Sequence, residues 1–118
     1  MKKRILLTGA TGFVGRQVLA SLSKVDVDLV LVVRDGSKSR LPLAREAEVV
    51  HTKDLFEESA EWWGSVCQSV DVVIHTAWYA EPTTYLQSPK NLDCFVGTLR
   101  LASGCVTAGV QRFVGIGS

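Results

Sequence analysis

The stretch that most constrains this chain runs from Ile5 to Arg16, I-L-L-T-G-A-T-G-F-V-G-R. A short apolar run, Ile5-Leu6-Leu7, ends at Thr8, and glycines follow at every third position, Gly9, Gly12 and Gly15. Beyond them Val14, Val18, Leu19 and Leu22 recur on one face at helical spacing. A strand running into a glycine turn and then a helix can cradle a phosphate. The helix N-terminus offers unpaired N–H groups and the positive end of its dipole, and glycine lets backbone approach an anion with no Cβ in the way. The spacing G-x-x-G-x-x-G differs from the G-x-G-x-x-G of many dinucleotide-binding turns. A plain structural turn is the alternative, and the flanking strand and helix favour the dinucleotide. Gly15 has a separate task, since a side chain there would hold the helix off the strand.

The rest of the chain repeats the alternation. Val27 to Val33 is a nearly continuous β-branched and apolar run, which suits a strand buried on both faces of a parallel sheet. Glu48 to His51, Val70 to Thr76 and Gln111 to Ile116 read as further strands. Between them a polar helix is predicted from Glu57 to about Val66. A long one is predicted from Leu92 to Ala108, with Leu92, Phe95, Leu99, Ala102 and Val106 at helical spacing and Gly109 as its stop. Pro42 marks a short turn, and Ala77 to Pro89 reads as a loop. The expectation is an α/β domain, a doubly wound parallel sheet of about five strands with helices on both faces. Open sheets of this kind place their ligand crevice at the C-terminal ends of the strands, and the chain stops at such an end. Residues 1–118 are therefore expected to be the N-terminal portion of something longer.

Composition narrows the function. The 118 residues suffice for one domain, and 47% hydrophobic content supports a buried core. A net charge of +1 gives no case for nucleic acid or an anionic membrane surface. The basic start, Lys2-Lys3-Arg4, resembles a signal-peptide n-region, but Thr8 and Gly9 break the apolar run too soon for a signal peptide or a membrane span. Cys67, Cys94 and Cys105 are odd in number and form no C-x-x-C pair. Reduced, mostly buried thiols in a cytoplasmic protein are expected, and no metal spacing exists.

Several side chains sit where chemistry is expected. Arg34 follows the second strand, where an acidic residue would hold the ribose hydroxyls of NAD and an arginine would accommodate the 2′-phosphate of NADP. With Lys38 and Arg40 close by, the charge points toward NADP. Asp35 keeps NAD open, and a merely solvated loop is the plain alternative. Asp54 follows the third strand, placed to accept from an adenine amino group while Leu55 packs on the ring. It is equally suited to cap the next helix. His75, among Val72, Val73 and Ile74, reads as a satisfied core residue rather than a base. His51 has no partner in sequence, and Trp62 and Trp63 read as packing residues.

Taken together, T-G-A-T-G-F-V-G at Thr8 to Gly15, Asp54-Leu55, H-T-A-W at His75 to Trp78, G-T-L-R-L-A at Gly97 to Ala102 and G-V-Q-R-F-V-G-I-G-S at Gly109 to Ser118 resemble the extended short-chain dehydrogenase/reductase family. The likeness is closest to its NAD-dependent epimerase/dehydratase branch, which acts on nucleotide-activated sugars, and it covers the chain in order. The resemblance implies a Rossmann-type domain. In it Gly9, Thr11, Gly12, Phe13, Val14 and Gly15 hold the pyrophosphate, Asp54 and Leu55 meet the adenine, and Ala77 and Trp78 line the nicotinamide side. It implies a Ser or Thr that orients the substrate hydroxyl, which falls on Ser118. It also implies a Tyr-x-x-x-Lys pair in which the tyrosine takes the hydroxyl proton, and a homodimer paired through the 92–108 helix, with burial of that helix within its own chain as the alternative.

Two departures stand out. The family asparagine three residues before the Gly of the G-T pair is replaced by Cys94, with Asn91 one turn earlier. No Tyr-x-x-x-Lys occurs: the fourth place after Tyr79 is Thr83, and after Tyr85 it is Pro89. The expected function is the cofactor-binding part of a nucleotide-sugar epimerase, dehydratase or reductase, with the sugar-nucleotide site and the acid–base pair outside these residues. The alternatives are a reductase of another carbonyl substrate, or an NADP-binding redox sensor without catalysis.

Overall fold

A computed structural model describes residues 2–35, 47–77 and 89–116. Its elements run β1 (Lys3–Thr8), α1 (Phe13–Leu22), β2 (Val27–Arg34), β3 (Glu48–Thr52), a 3-10 turn (Leu55–Glu57), α2 (Ala60–Val66), β4 (Val72–His75), α3 (Lys90–Ala108) and β5 (Arg112–Gly115). The five strands are all parallel and lie in the order β3-β2-β1-β4-β5. This is the Rossmann order, with β1 central and the direction of winding reversing beside it.

The pleat of the strands divides the core in two. Leu6, Val30, Val32 and Val73 point to one face and pack with Trp63 of α2, Cys67 just after it, and Leu101 and Cys105 of α3. Ile5, Leu7, Leu29, Leu31 and Val33 point to the other and meet Leu19 of α1, with Val18 and Leu22 at its edge. Both faces of β1 and β2 are thus covered by helix, which is why these strands read as unbroken apolar runs. Cys67, Cys94 and Cys105 are buried, and none of the three is in a disulfide. Among the described residues no helix is long and apolar enough to cross a membrane.

The helix expected from Glu57 to about Val66 begins three residues later, at Ala60, because a separate 3-10 turn, Leu55–Glu57, ends where it was expected to start. Asp54 Oδ1 accepts from Phe56 N–H at 2.9 Å and starts the 3-10 turn, while Ser59 Oγ accepts from Trp62 N–H at 3.0 Å and starts α2. Glu58 between them is extended, φ −71 and ψ 145. Trp63 is fully buried and Trp62 half-buried, their rings meeting edge to face at 4.8 Å. Helix α3 ends as predicted at Gly109, which adopts φ +80.

The buried face of α3 is the less conspicuous one in sequence. Leu92, Phe95, Leu99 and Val106, the residues whose spacing announces the helix, are exposed. The buried face is built from Cys94, Gly97, Leu101, Gly104 and Cys105. A Cβ on Gly104 would lie 2.4 Å from Trp63 Cβ, and one on Gly97 would lie 2.6 Å from Phe56 Cα. The two glycines are notches that let α2 and the 3-10 turn seat against α3.

Candidate functional site

Every strand delivers its last residue to the same edge of the sheet. Thr8 pairs with Val32 on one side and His75 on the other, Arg34 pairs with Thr52, and His75 pairs with Gly115. The turn from Gly9 to Gly12 lies at the centre of this edge, where the winding reverses and open sheets bind their ligands.

The three glycines of that turn answer to three different constraints. Gly9 has φ +74, a left-handed conformation, and a Cβ there would strike Thr76 Oγ1 at 2.3 Å and Ala77 N at 2.7 Å. Gly15 lies so close under the turn that a Cβ would stand 1.7 Å from the Gly9 carbonyl oxygen. This is the close helix–strand approach expected of it. Gly12 is constrained by nothing among the described residues. Its φ of −81 and ψ of 175 are open to any residue, and an added Cβ meets only the Gly9 oxygen, at 3.4 Å. It is the N-cap of α1, with no side chain capping the first turn. Backbone N–H groups of that turn are therefore left without a side-chain cap among the described residues, beside a position at which those residues do not require glycine. Phe13, 82% exposed, and Val14, also exposed, follow that position, and Thr11 is half-buried before it.

The β1–β4 side of the edge is held by hydroxyls. Thr8 Oγ1 accepts from Thr76 N–H at 3.1 Å and Ala77 N–H at 3.3 Å, and lies 2.7 Å from His75 Nδ1. Thr76 Oγ1 donates to the Thr8 carbonyl at 2.8 Å. On the far side of the imidazole, His75 Nε2 is 3.0 Å from Thr98 Oγ1 of α3. Burial removes water from the ring and lowers the His75 pKa from 6.5 to about 4, so it is neutral at pH 7. The reading of His75 as a satisfied core residue agrees with this placement. Thr8, Thr76 and Thr98 carry no motif of their own. The signal available in sequence was a hydroxyl at the end of an apolar strand opposite a histidine at the end of another.

On the β2–β3 side, Arg34 and Asp35 are exposed. Arg34 closes β2 rather than following it, because its pairing with Thr52 extends the strand by one residue beyond the apolar run. Asp35 N–H donates to the Thr52 carbonyl at 2.9 Å. Asp54 performs the capping role expected of it, and Leu55 packs half-buried against the core. Cys94 is buried, and Asn91 is half-buried one turn before it. Ala77 is half-buried beside Gly9; Trp78 and Ser118 lie outside the described residues. Among the described residues no group of His, Cys, Asp and Glu side chains could hold a metal ion.

Comparison with known proteins gives the same outline. The family model described as "NAD dependent epimerase/dehydratase family" matches residues 5–118. The UDP-glucose 4-epimerase of Vibrio cholerae is 32% identical over 127 residues, covering 100% of this chain and 35% of its own length. The ketoreductase azaE of Aspergillus niger is 30% identical over 104 residues, covering 75% of this chain and 30% of its own. Among solved structures, MoeE5 in complex with UDP-glucose and NAD superposes with a TM-score of 0.70 at 28% identity, over 95% of this chain and 35% of that one. The chain spans about a third of the length of these relatives.

Proposed function

This chain belongs to the NAD-dependent epimerase/dehydratase family, and we propose that it binds the dinucleotide of a nucleotide-sugar epimerase, dehydratase or reductase across the C-terminal edge of its sheet. The observation that carries this reading is Gly12, a glycine that no dihedral and no contact among the described residues demands, standing at a helix N-terminus that no side chain among them caps. A pyrophosphate supplies the missing reason for it.

In this reading Gly9, Thr11, Gly12, Phe13, Val14 and Gly15 hold the pyrophosphate. Asp54 and Leu55 meet the adenine, and Ala77 and Trp78 line the nicotinamide side. When bound, the nicotinamide supplies hydride exchange at a sugar carbon; these residues bind and orient it. Ser118 orients the reacting hydroxyl, a role that rests on the family resemblance. The UDP-glucose 4-epimerase and the UDP-glucose complex of MoeE5 support a nucleotide sugar as substrate. The 118 residues contain no Tyr-x-x-x-Lys, and without that acid–base pair they are expected to bind cofactor without turning over substrate.

The cofactor form proposed is NADP, held through its 2′-phosphate by the exposed guanidinium of Arg34. NAD is the second reading, favoured by Asp35 next to it and by the NAD in the MoeE5 complex. Titration calorimetry with NADPH and NADH decides. Arg34→Ala should weaken NADPH by about tenfold or more and leave NADH nearly unchanged, a charged hydrogen bond being worth roughly 1.5–3 kcal/mol. NADH binding at least as tightly as NADPH selects NAD. A folded protein that binds neither overturns the function.

A further inference from the structure

The hydroxyl of Thr8 has one proton and two lone pairs. The N–H groups of Thr76 and Ala77 both point at it and occupy the lone pairs. Its proton therefore goes to the remaining partner, His75 Nδ1, 2.7 Å away. A nitrogen that accepts carries no proton, so the ring proton sits on Nε2 and is donated to Thr98 Oγ1 at 3.0 Å. Donation along this chain of hydrogen bonds has one direction, from the two backbone amides at the end of β4 through Thr8 and the ring to Thr98 on α3.

That end of β4 is packed directly on the glycine turn. Thr76 and Ala77 fill the space where a Gly9 side chain would be, and the Gly9 carbonyl in turn accepts from Gly12 N–H at 3.0 Å. A small displacement of Thr76 and Ala77 thus reaches Gly12 through contacts that have no slack.

We propose that His75 is a positioning residue: as a neutral imidazole protonated on Nε2, it fixes the Thr8 hydroxyl as the double acceptor that holds Thr76 and Ala77 against the glycine turn, and so couples the seating of helix α3 to the shape of the cofactor edge. The consequence for binding rests on the dinucleotide reading above, whereas the state of the ring does not. A charged ring would have to donate from Nδ1 to Thr8 Oγ1, which would then face three donors with two lone pairs. The pKa lowered to about 4 agrees with that exclusion. The rings around the imidazole, Phe56 at 6.0 Å and Phe113 at 6.2 Å between centroids, carry no charge that would reverse it.

Nitrogen-15 NMR of the ligand-free protein reads the tautomer, and NADPH and NADH titrations of the same samples read the edge. The expected result is a neutral His75 at pH 7 with its proton on Nε2. Thr8→Val, which keeps the shape and removes the acceptor, should weaken the preferred nucleotide by about tenfold, and Thr8→Ser should restore it. If Thr8→Val does not fold, Thr98→Val cuts the chain of hydrogen bonds at its half-buried end and should also weaken binding. A proton on Nδ1, or a charged ring at pH 7, overturns the proposal. So does native affinity in a folded Thr8→Val or Thr98→Val protein, because a purely structural role would lower the melting temperature and leave affinity alone. A protein with the expected tautomer that binds neither nucleotide upholds the assignment of the ring and removes the cofactor reading.

Discussion

Two alanine substitutions in one turn should have opposite consequences. At Gly15 a Cβ would stand 1.7 Å from the Gly9 carbonyl oxygen and 3.0 Å from Ala10 Cα, and that carbonyl cannot swing away while it accepts from Gly12 N–H at 3.0 Å. Helix α1 must retreat from the sheet instead, and its Leu19 leaves the cluster of Ile5, Leu7, Leu29 and Leu31. Overpacking of this kind costs about 1–3 kcal/mol. The better helix propensity of alanine returns at most about 1 kcal/mol of that. At roughly 4 °C per kcal/mol for a domain of this size, Gly15→Ala should melt several degrees below the native protein. At Gly12 the backbone accepts any residue and the nearest atom among the described residues is 3.4 Å from an added Cβ, so Gly12→Ala should cost under about 1 kcal/mol, the difference between glycine and alanine at an N-cap. Its methyl group instead enters the space assigned to the pyrophosphate, and NADPH and NADH affinity should fall at least about tenfold. Thermal melts by circular dichroism and nucleotide titrations on the two variants make the comparison. A Gly12→Ala protein that binds like the native one refutes the pyrophosphate assignment. A Gly15→Ala protein that melts like the native one refutes the close-approach argument.

Acid should weaken the fold through His75. Its folded pKa of about 4 lies below the ordinary 6.5, so the unfolded chain binds the proton first; stability is complete above about pH 6.5 and falls as pH drops toward 4. The full loss is roughly 3 kcal/mol, and urea melts across that range should show it shrink in His75→Gln relative to the native protein; equal pH slopes in the two proteins contradict it. Association is expected through the outward stripe of α3, Leu92, Phe95, Leu99 and Val106. The occupant proposed is the same helix of a second subunit. Equilibrium sedimentation should find a dimer that Leu99→Glu disrupts, and a native monomer at micromolar concentration rules it out.

The architecture was legible because parallel strands buried on both faces leave long apolar runs, and because caps leave short polar marks. Val27 to Val33 and the Gly109 stop were read from such signals. The later start of the Glu57–Val66 helix was hidden because Asp54 and Ser59 are both good N-caps, and only the extended Glu58 shows that each begins its own element. The orientation of α3 was hidden for a different reason. Hydrophobic periodicity finds a stripe of large side chains, but the face that packs tightly on the 3-10 turn and α2 is the one with the smallest residues, Gly97 and Gly104, since only these let the backbones approach.

The site was legible in its glycines and silent in its threonines. Three glycines at equal spacing look equivalent in sequence, yet one is required by its dihedral, one by a neighbouring backbone and one by nothing among the described residues. That difference is what separates a glycine of the fold from a glycine of a ligand, and it appears only when the space at each Cβ position is known. The histidine shows the converse. A buried imidazole reads as core because it is core, and its burial alone assigns it no further task. What assigns one is the pair of amide donors already occupying the Thr8 hydroxyl, because they leave its proton a single destination. The fixed tautomer follows from the lone-pair count, and lone pairs on three threonines widely separated in sequence are not a pattern that periodicity or spacing can register.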